Sequence, residues 1–256
     1  MKSGLLSGYD AAAHGAQLAG ACVAPHHPSL FAEDVYHVLD TAENVDCIEV
    51  DSLSSALTAA MAATVLENRA FLATSSADAP EEMNTAALLR LPLVMAHISR
   101  NLGFTHEITH ETTATAPAFG WINLFPENSQ EILDSIIIAY KLAEDPKVQL
   151  PCAIHIDGIP NLREHVVIPT NQSIKHFIAK LHVKNRIDVK KFVRMAPIEN
   201  VGAHRAHQHK ALEASRKVFE TVHETWNKKF RRKYSLVEGY KTKGADTVIV
   251  IAGSQA

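Results

Sequence analysis

The segment CIEVDSLSSALTAAMAATVLENRAFLATSSADAPEEMNTAALLRLPLVMAHI, residues 47–98, decides the fold. Three short apolar runs alternate with two Ala-rich stretches, the runs at 47–50, 70–73 and 93–98 and the stretches at 52–66 and 80–89. Runs of four to six apolar residues between helices are typical of strands that are buried on both faces of a parallel sheet. The segment therefore predicts a βαβαβ unit with parallel strands.

The same alternation continues on both sides of this segment. Further strands are expected at 121–125, 152–156 and 247–251, and further helices at 10–21, 29–39, 127–144, 174–181 and 203–229. Asp10 is the expected N-cap of the first helix, since a side-chain oxygen there can accept a backbone hydrogen bond. The pattern as a whole predicts an α/β fold with a doubly wound parallel sheet.

The composition is that of an ordinary globular protein. Hydrophobic residues make up 46% of the chain, charged residues make up 21%, and the net charge is -3. These values exclude a disordered chain and a nucleic-acid binder that relies on excess positive charge. No apolar run approaches the roughly 18 residues of a membrane span. The three dispersed cysteines, Cys22, Cys47 and Cys152, argue against a disulfide framework, so we expect a cytoplasmic protein.

Histidine is abundant, with 15 residues, so metal sites must be considered. The run His106-Glu107-Ile108-Thr109-His110 matches the H-E-x-x-H pattern, in which a helix presents two histidines to zinc and a glutamate acts as base. β-Branched residues and Gly103 disfavour a helix at this place. A zinc-dependent hydrolase using His106, Glu107 and His110 stays as an alternative, with His106 and His110 as the weak metal candidates.

Several longer stretches, taken in their order and spacing, resemble one known family. They are SGYDAAAHGA at 7–16, APHHPS at 24–29, LPLVM at 91–95, SRNLG at 99–103, GWINLFPENSQE at 120–131, AEDPKVQLP at 143–151 and ADTVIV at 245–250. The chain is similar to the alpha, pyrimidine-side subunit of thiamine-diphosphate-dependent 2-oxoacid:ferredoxin oxidoreductases, the pyruvate synthase group. The resemblance runs from Ser7 to Ser254.

The resemblance implies a thiamine-diphosphate-binding fold of the pyrimidine type and a place in a heteromeric complex. Such complexes oxidatively decarboxylate a 2-oxoacid such as pyruvate to its acyl-CoA. A beta-type subunit holds the diphosphate and Mg²⁺, and a ferredoxin-like subunit carries iron–sulfur clusters that reduce ferredoxin or a similar acceptor. Arg100 matches the arginine that binds the substrate carboxylate, a task suited to a guanidinium group. Neither nucleic acid nor membrane is an expected partner, and the chain alone is expected to be inactive.

The chain departs from this family at the residues that would meet the cofactor and the substrate. The family's chemistry needs a carboxylate that hydrogen-bonds the aminopyrimidine ring nitrogen. Leu53 stands at the position of that glutamate, and Ser75 and Ser76 are the other expected cofactor-binding residues. His27 stands where the family has a substrate-binding threonine, beside His26.

Two interpretations of the adjacent histidines stay open. His26 and His27 are either loop residues between prolines or part of a remodelled substrate pocket. Asp51, two residues before Leu53, is a candidate stand-in for the missing glutamate, although its side chain starts from a different turn.

The sequence leaves two functions open within this family. The first is a working subunit with a remodelled active site, and the second is a catalytically silent paralogue that keeps the fold for structural or regulatory purposes. Residues 1–238 are expected to form the pyrimidine-type domain. Residues 239–256 are expected to form a linker and the first strand of a truncated second domain.

Overall fold

The chain follows the predicted alternation of strands and helices. The computed structural model describes residues 2–29, 32–75, 80–99, 116–157, 162–191 and 200–256. The strands are β1 Lys2–Leu6, β2 Val23–His26, β3 Asp46–Glu49, β4 Phe71–Thr74, β5 Val94–Ser99, β6 Ile122–Leu124, β7 Cys152–Asp157 and β8 Glu164–Ile168. The helices are α1 Gly8–Ala19, α2 Glu33–Asp40, α3 Leu53–Val65, α4 Glu81–Leu88, α5 Ser129–Ala143, α6 Asn171–Phe177 and α7 Val201–Phe230, followed by a 3₁₀ turn at Gly253–Gln255.

Polar side chains that accept hydrogen bonds from the first turn mark where five of these helices begin. Ser7 Oγ accepts a bond from the amide of Asp10 at 3.1 Å, and the Asp10 carboxylate accepts one from the amide of Ser7 at 2.9 Å. This pair is a capping box. The prediction that Asp10 is the N-cap is therefore wrong, because Asp10 lies three residues inside that cap. Ser52 caps α3 by accepting a bond from the amide of Ser55, which makes Leu53 the first helical residue.

The central sheet is parallel, with the strand order β4-β5-β7-β6. Strands β2 and β3 form a second parallel pair, and a single parallel bridge between Val23 and Ala70 brings β2 beside the first residues of β4. Strands β1 and β8 form a separate antiparallel pair. The parallel arrangement confirms the predicted α/β fold.

Apolar residues cover both faces of the central sheet. Helices α1 and α5 pack on one face together with Ala96, Ile98 and Ile154, and helices α3 and α4 pack on the other together with Met95 and Ala153. Successive residues of a strand point to opposite faces, so a strand buried on both sides is apolar throughout. Within the described ranges, no helix is long and apolar enough to cross a membrane.

The predicted strand at 247–251 is wrong. These residues form no strand, and Ile249 and Val250 are 79% and 89% exposed. An extended apolar segment becomes a strand only when a neighbouring edge accepts its backbone hydrogen bonds, and no described strand lies beside this one. Strands β1, β2 and β8 are not evident from the sequence pattern, because they are short and carry polar residues or a proline.

Candidate functional site

A row of polar residues crosses the sheet near the carboxyl ends of its strands. Thr74 of β4 is in register with His97 of β5, and His97 is in register with His155 of β7, so the three side chains point to the same face. They are buried, with exposed fractions of 5%, 4% and 1%. The carboxyl edge of an open parallel sheet is the usual place for ligand binding.

Hydrogen bonds and ring contacts hold both imidazoles in this row. His155 Nε2 lies 2.7 Å from the side-chain oxygen of Asn123, and Ser99 Oγ lies 3.3 Å from His97 Nδ1. An amide oxygen only accepts, so His155 Nε2 carries the proton of this bond. Phe125 stacks on His155 with 4.8 Å between ring centroids. The row is therefore a fixed feature of the sheet edge.

Leu53 and the three residues of this row line the same cavity. The Leu53 side chain is 7% exposed, and it lines a small cavity together with six residues of β4, β5, β7, α4 and the turn before β6. Those residues are Thr74, Met83, Met95, His97, Ala116 and His155. The cavity volume is about 10 Å³. This is close to the smallest space that holds one water molecule.

Two side-chain hydrogen bonds fix the segments beside this cavity. One holds α4, and the other holds the turn before β6. Trp121 Nε1 donates a hydrogen bond to the carbonyl of Met83 at 2.8 Å, which fixes the backbone of α4 behind the Met83 side chain. Gln208 of α7 donates from Nε2 to the carbonyl of Phe119 at 2.7 Å. Gly120 makes the close approach possible, because its φ is +84° and a Cβ there would lie 2.2 Å from Gln208 Nε2.

The two histidines expected to bind substrate point to different elements. His27 Nδ1 lies 3.4 Å from the carbonyl oxygen of Val50, which follows β3. His26 stacks on Tyr36 of α2 with 4.2 Å between ring centroids, and its Nδ1 lies 3.7 Å from the Glu33 carboxylate. Neither residue lines the cavity beside Leu53. The structure therefore does not gather His26 and His27 with Leu53.

The remaining expected site residues divide into two groups. Ser75 is 5% exposed and follows Thr74 at the end of β4, so it lies at the same sheet edge. The others lie outside the described residues. They are Ser76, Arg100, His106, Glu107 and His110. Within the described ranges, no three histidine, cysteine, aspartate or glutamate side chains come together in a way that suits a metal ion.

His97, His155 and Asn123 were not singled out as site residues from the sequence. The signal was present, because a histidine stands near the carboxyl end of two otherwise apolar runs, MAHIS at 95–99 and AIHID at 153–157. Periodicity does not show that two distant runs pair in register. The structure adds that information.

A comparison with known protein families identifies the family of this chain. The thiamine-diphosphate-binding family of pyruvate flavodoxin/ferredoxin oxidoreductases matches residues 27–229. This chain belongs to that family. The resemblance stated from the sequence motifs is confirmed.

Relatives from several organisms match nearly the whole chain. The pyruvate synthase subunit PorA of Methanocaldococcus jannaschii is 32% identical over 98% of this chain and 69% of its own length. PorA of Pyrococcus furiosus is 32% identical over 96% of this chain and 66% of its own length. The alpha subunit of the NADH-dependent phenylglyoxylate dehydrogenase of Aromatoleum evansii is 25% identical over 98% of this chain and 66% of its own length. The chain thus spans about two thirds of these relatives.

A solved structure has the same fold. The 2-oxoglutarate:ferredoxin oxidoreductase from Magnetococcus marinus superposes with a TM-score of 0.62 at 13% identity, covering 83% of this chain and 45% of that one. At this identity the match concerns the fold alone.

The described residues around the cavity do not fit the activation of an aminopyrimidine. No carboxylate of the described chain lines the cavity, and Leu53 offers no hydrogen bond. Asp51 is exposed and does not line it. Its pKa is lowered, chiefly by a hydrogen bond from the Ser55 side chain, so it is a solvated carboxylate at the start of α3. The structure gives Asp51 no contact with the site that the missing glutamate would occupy.

Proposed function

We propose that this chain is the pyrimidine-side subunit of a heteromeric complex of the 2-oxoacid:ferredoxin oxidoreductase type, with a remodelled cofactor cavity. Family membership supports the fold and the kind of complex. The observation that carries the proposal is the position of Leu53, whose buried side chain lines a cavity at the carboxyl edge of the parallel sheet. The resemblance implies that the family's cofactor-activating glutamate stands at that position.

The proposal includes the partners and cofactors that the resemblance implies. A beta-type subunit would supply the diphosphate site and Mg²⁺, and a ferredoxin-like subunit would carry the iron–sulfur clusters. The substrate would be a 2-oxoacid such as pyruvate, the electrons would go to ferredoxin or a similar acceptor, and the complex would be cytoplasmic. Thiamine diphosphate, held mainly by the partner subunit, would supply the carbanion chemistry of such a complex. This chain's own contribution would be the apolar wall around Leu53 and the polar row beside it.

A silent subunit is the second candidate, and one observation favours it. The described lining of the cavity contains thioethers, methyl groups, a hydroxyl and imidazoles, and none of these is the carboxylate that ylid formation needs. In that case the chain would keep the fold to assemble or regulate the complex. The zinc-hydrolase alternative stays a prediction, because His106, Glu107 and His110 lie outside the described residues.

Co-expression tests this proposal. A tagged form of this chain is produced with beta-type and ferredoxin-like subunits from the same source, and the purified complex is assayed anaerobically for 2-oxoacid- and CoA-dependent reduction of a viologen dye. A complex that turns over indicates a working remodelled site, and a stable complex without turnover indicates the silent subunit. Failure of the chain to co-purify with either partner would contradict both candidate functions.

The chain alone, with or without a restored carboxylate, is expected to be inactive. Leu53→Glu changes one wall of the cavity, whereas the diphosphate and electron-transfer sites belong to other subunits in this proposal. We therefore expect no viologen reduction above background from the purified wild-type chain or from Leu53→Glu. Turnover by either single chain contradicts this expectation.

We also propose a domain boundary near residue 238. Residues 1–238 would form the pyrimidine-type domain, and 239–256 would form a connecting segment, because residues 239–252 are exposed and form no helix or strand. Limited trypsin digestion is the test. Cleavage after Lys241 or Lys243 that leaves the rest of the chain intact would agree with this boundary, and first cleavage within α7 would contradict it.

A further inference from the structure

We infer that the turn Gly253–Gln255 is a strap that closes over the carboxyl end of β7, and that Asp157 is the residue that holds it there. Release of the strap opens a cavity of about 200 Å³ between the end of β7 and the first residues of α1 and α5. The inference goes beyond the proposed function, because it assigns a moving part to the segment after α7 and requires neither a cofactor nor a partner subunit.

A long exposed stretch leads to the strap. Residues 239–252 form no helix or strand, and all of them are exposed. The chain becomes buried again at Gly253, where the turn packs against β7. Residues 239–252 are therefore a tether, and the strap at its end is the part that contacts the sheet.

Asp157 accepts both of the hydrogen bonds that attach the strap. Its Oδ2 accepts one bond from the amide of Ser254 at 2.6 Å and a second from the Ser254 hydroxyl at 3.0 Å. Asp157 is 7% exposed and is the last residue of β7, which pairs with β5 and β6 on its two sides. The strap is thus attached to a fixed point of the central sheet.

Gly253 allows the strap to come this close to the carboxylate. Its φ is +79°, a region that favours glycine, and a Cβ there would collide with the side chain of Asp157. Gly244 in the tether has a similar φ of +77°, but a Cβ there would meet nothing within 4 Å. The same substitution at these two glycines therefore separates the contact with Asp157 from the effect on the backbone.

The strap is expected to open and close in the folded chain. Ordering a flexible tether costs conformational entropy that grows slowly with its length, and two hydrogen bonds contribute a free energy of the same order. A segment held by so few bonds opens locally far more easily than the strands of the core. In the open state Ser254 no longer forms part of the cavity wall.

Hydrogen exchange of the full chain, resolved by residue with NMR and corrected for intrinsic rates, tests the attachment. We expect the amide of Ser254 to exchange about tenfold or more slowly than those of Val248 and Ile249, which lie in the exposed tether, since a bond to a charged acceptor stabilises the closed state. Asp157→Ala removes the acceptor and should abolish this difference.

Two glycine variants keep the exchange test decisive. Gly253→Ala should release the strap and raise the exchange rate of Ser254, although it leaves β7 and Asp157 unchanged. It replaces Asp157→Ala if that variant does not fold, as judged by circular dichroism. Gly244→Ala makes the same change within the tether and should keep Ser254 protected.

Cysteine labelling tests whether release of the strap opens the cavity. Ser129 lines the cavity and is 5% exposed, so Ser129→Cys provides a reporter in a chain whose half-buried Cys22 and Cys47 are replaced by alanine. Iodoacetamide should modify this reporter several-fold faster in the Gly253→Ala background than in the Gly244→Ala background.

Two results overturn the inference. One is a wild-type chain in which the Ser254 amide exchanges as fast as those of the tether, and the other is equal labelling of the reporter in the two glycine backgrounds. Neither result bears on the co-purification test of the proposed function, so the two proposals fail separately.

Discussion

His223 is a buried histidine on α7, and within the described residues neither of its ring nitrogens meets the distance and angle of a hydrogen bond. It is 8% exposed, and its ring lies 3.8 Å from that of Phe219 and 5.8 Å from that of Tyr234, measured between centroids. Burial lowers the pKa of His223 to about 4, and the nearby backbone of Tyr234 offsets only part of this shift. The neutral imidazole therefore serves as a packing group in the folded chain.

The lowered pKa of His223 predicts a loss of stability in mild acid. A histidine whose pKa is lower in the folded chain contributes full stability above its unfolded pKa of about 6.5, and this contribution falls as the pH drops toward the folded pKa. Between pH 7.5 and pH 5 we expect a loss of about 1 to 2 kcal/mol in the free energy of unfolding. His223→Leu should remove that component from urea unfolding curves, and His204→Leu, at an exposed position of the same helix, should retain it. Equal pH dependence in wild type and His223→Leu would contradict this account.

At the scale of elements, α5 and the segment after α7 are joined through one buried carboxylate. Asp134 is fully buried, and it accepts hydrogen bonds from Arg232 Nη2 at 2.9 Å and from the Tyr234 hydroxyl at 2.7 Å. Burial raises the pKa of Asp134, and the hydrogen bonds from Arg232 counteract that shift in part. The carboxylate depends on these partners, because an unpaired buried charge is strongly unfavourable.

Removing the arginine that pairs with Asp134 should lower the free energy of unfolding more than removing an exposed charge. We expect Arg232→Met to lower the free energy of unfolding by about 3 to 5 kcal/mol, since it leaves Asp134 buried without its ion pair. Lys233→Met removes a neighbouring exposed charge and should change stability by less than about 0.5 kcal/mol. Urea unfolding at pH 7 measures both, and similar losses for the two variants would show that the ion pair is not what stabilises this junction.

The turn before β6 depends on a glycine for two separable reasons. Gly120 has a φ of +84°, and a Cβ there would also lie 2.2 Å from Gln208 Nε2. We expect Gly120→Ala to destabilise the chain by at least about 2 kcal/mol, because a left-handed backbone alone costs about 1 to 2 kcal/mol for an L-residue. Gly244 has a φ of +77° with nothing near its Cβ, so Gly244→Ala measures the backbone cost alone. Thermal melts that show the smaller loss for Gly120→Ala would contradict the clash with Gln208.

At the scale of the whole molecule, the exposed apolar segment at 247–251 should cause self-association of the isolated chain. Val248, Ile249, Val250 and Ile251 are each at least 50% exposed, and such a run has the high β-propensity and low charge of an aggregation-prone segment. We expect Val250→Lys to reduce light scattering of concentrated samples several-fold, because a charge on an unpaired strand-like segment opposes edge-to-edge association. Lys243→Met, which instead removes a charge from the same region, should not reduce it. Unchanged light scattering in Val250→Lys would show that residues 247–251 do not cause the self-association.

How much of this molecule the sequence predicts depends on whether the controlling interaction is local. Buried parallel strands such as β5 and β7 are recognisable because both faces are apolar, and α5 is recognisable from its repeating isoleucines. Strand β2 was missed because Pro25 interrupts it, and the segment at 247–251 was assigned wrongly because its composition does not reveal whether a partner edge exists. Leu53 was found because it stands in a motif of fixed spacing, whereas the His97–His155 pair arises only from the register between two distant strands.

Strand β2 has a further consequence for how the sheet opens. It joins β4 through a single bridge, and the hydroxyl of Tyr36 lies between the two strands. There it accepts a bond from the amide of Ala73 at 2.7 Å and lies 2.9 Å from the carbonyl oxygen of Ala73 and 3.3 Å from that of Pro25. At this place the Tyr36 phenol, and not a backbone hydrogen bond, connects β2 with β4. The amide of Ala73 donates to the Tyr36 hydroxyl, so its hydrogen should exchange with solvent deuterium much sooner in Tyr36→Phe, while the amides within β7 keep their protection.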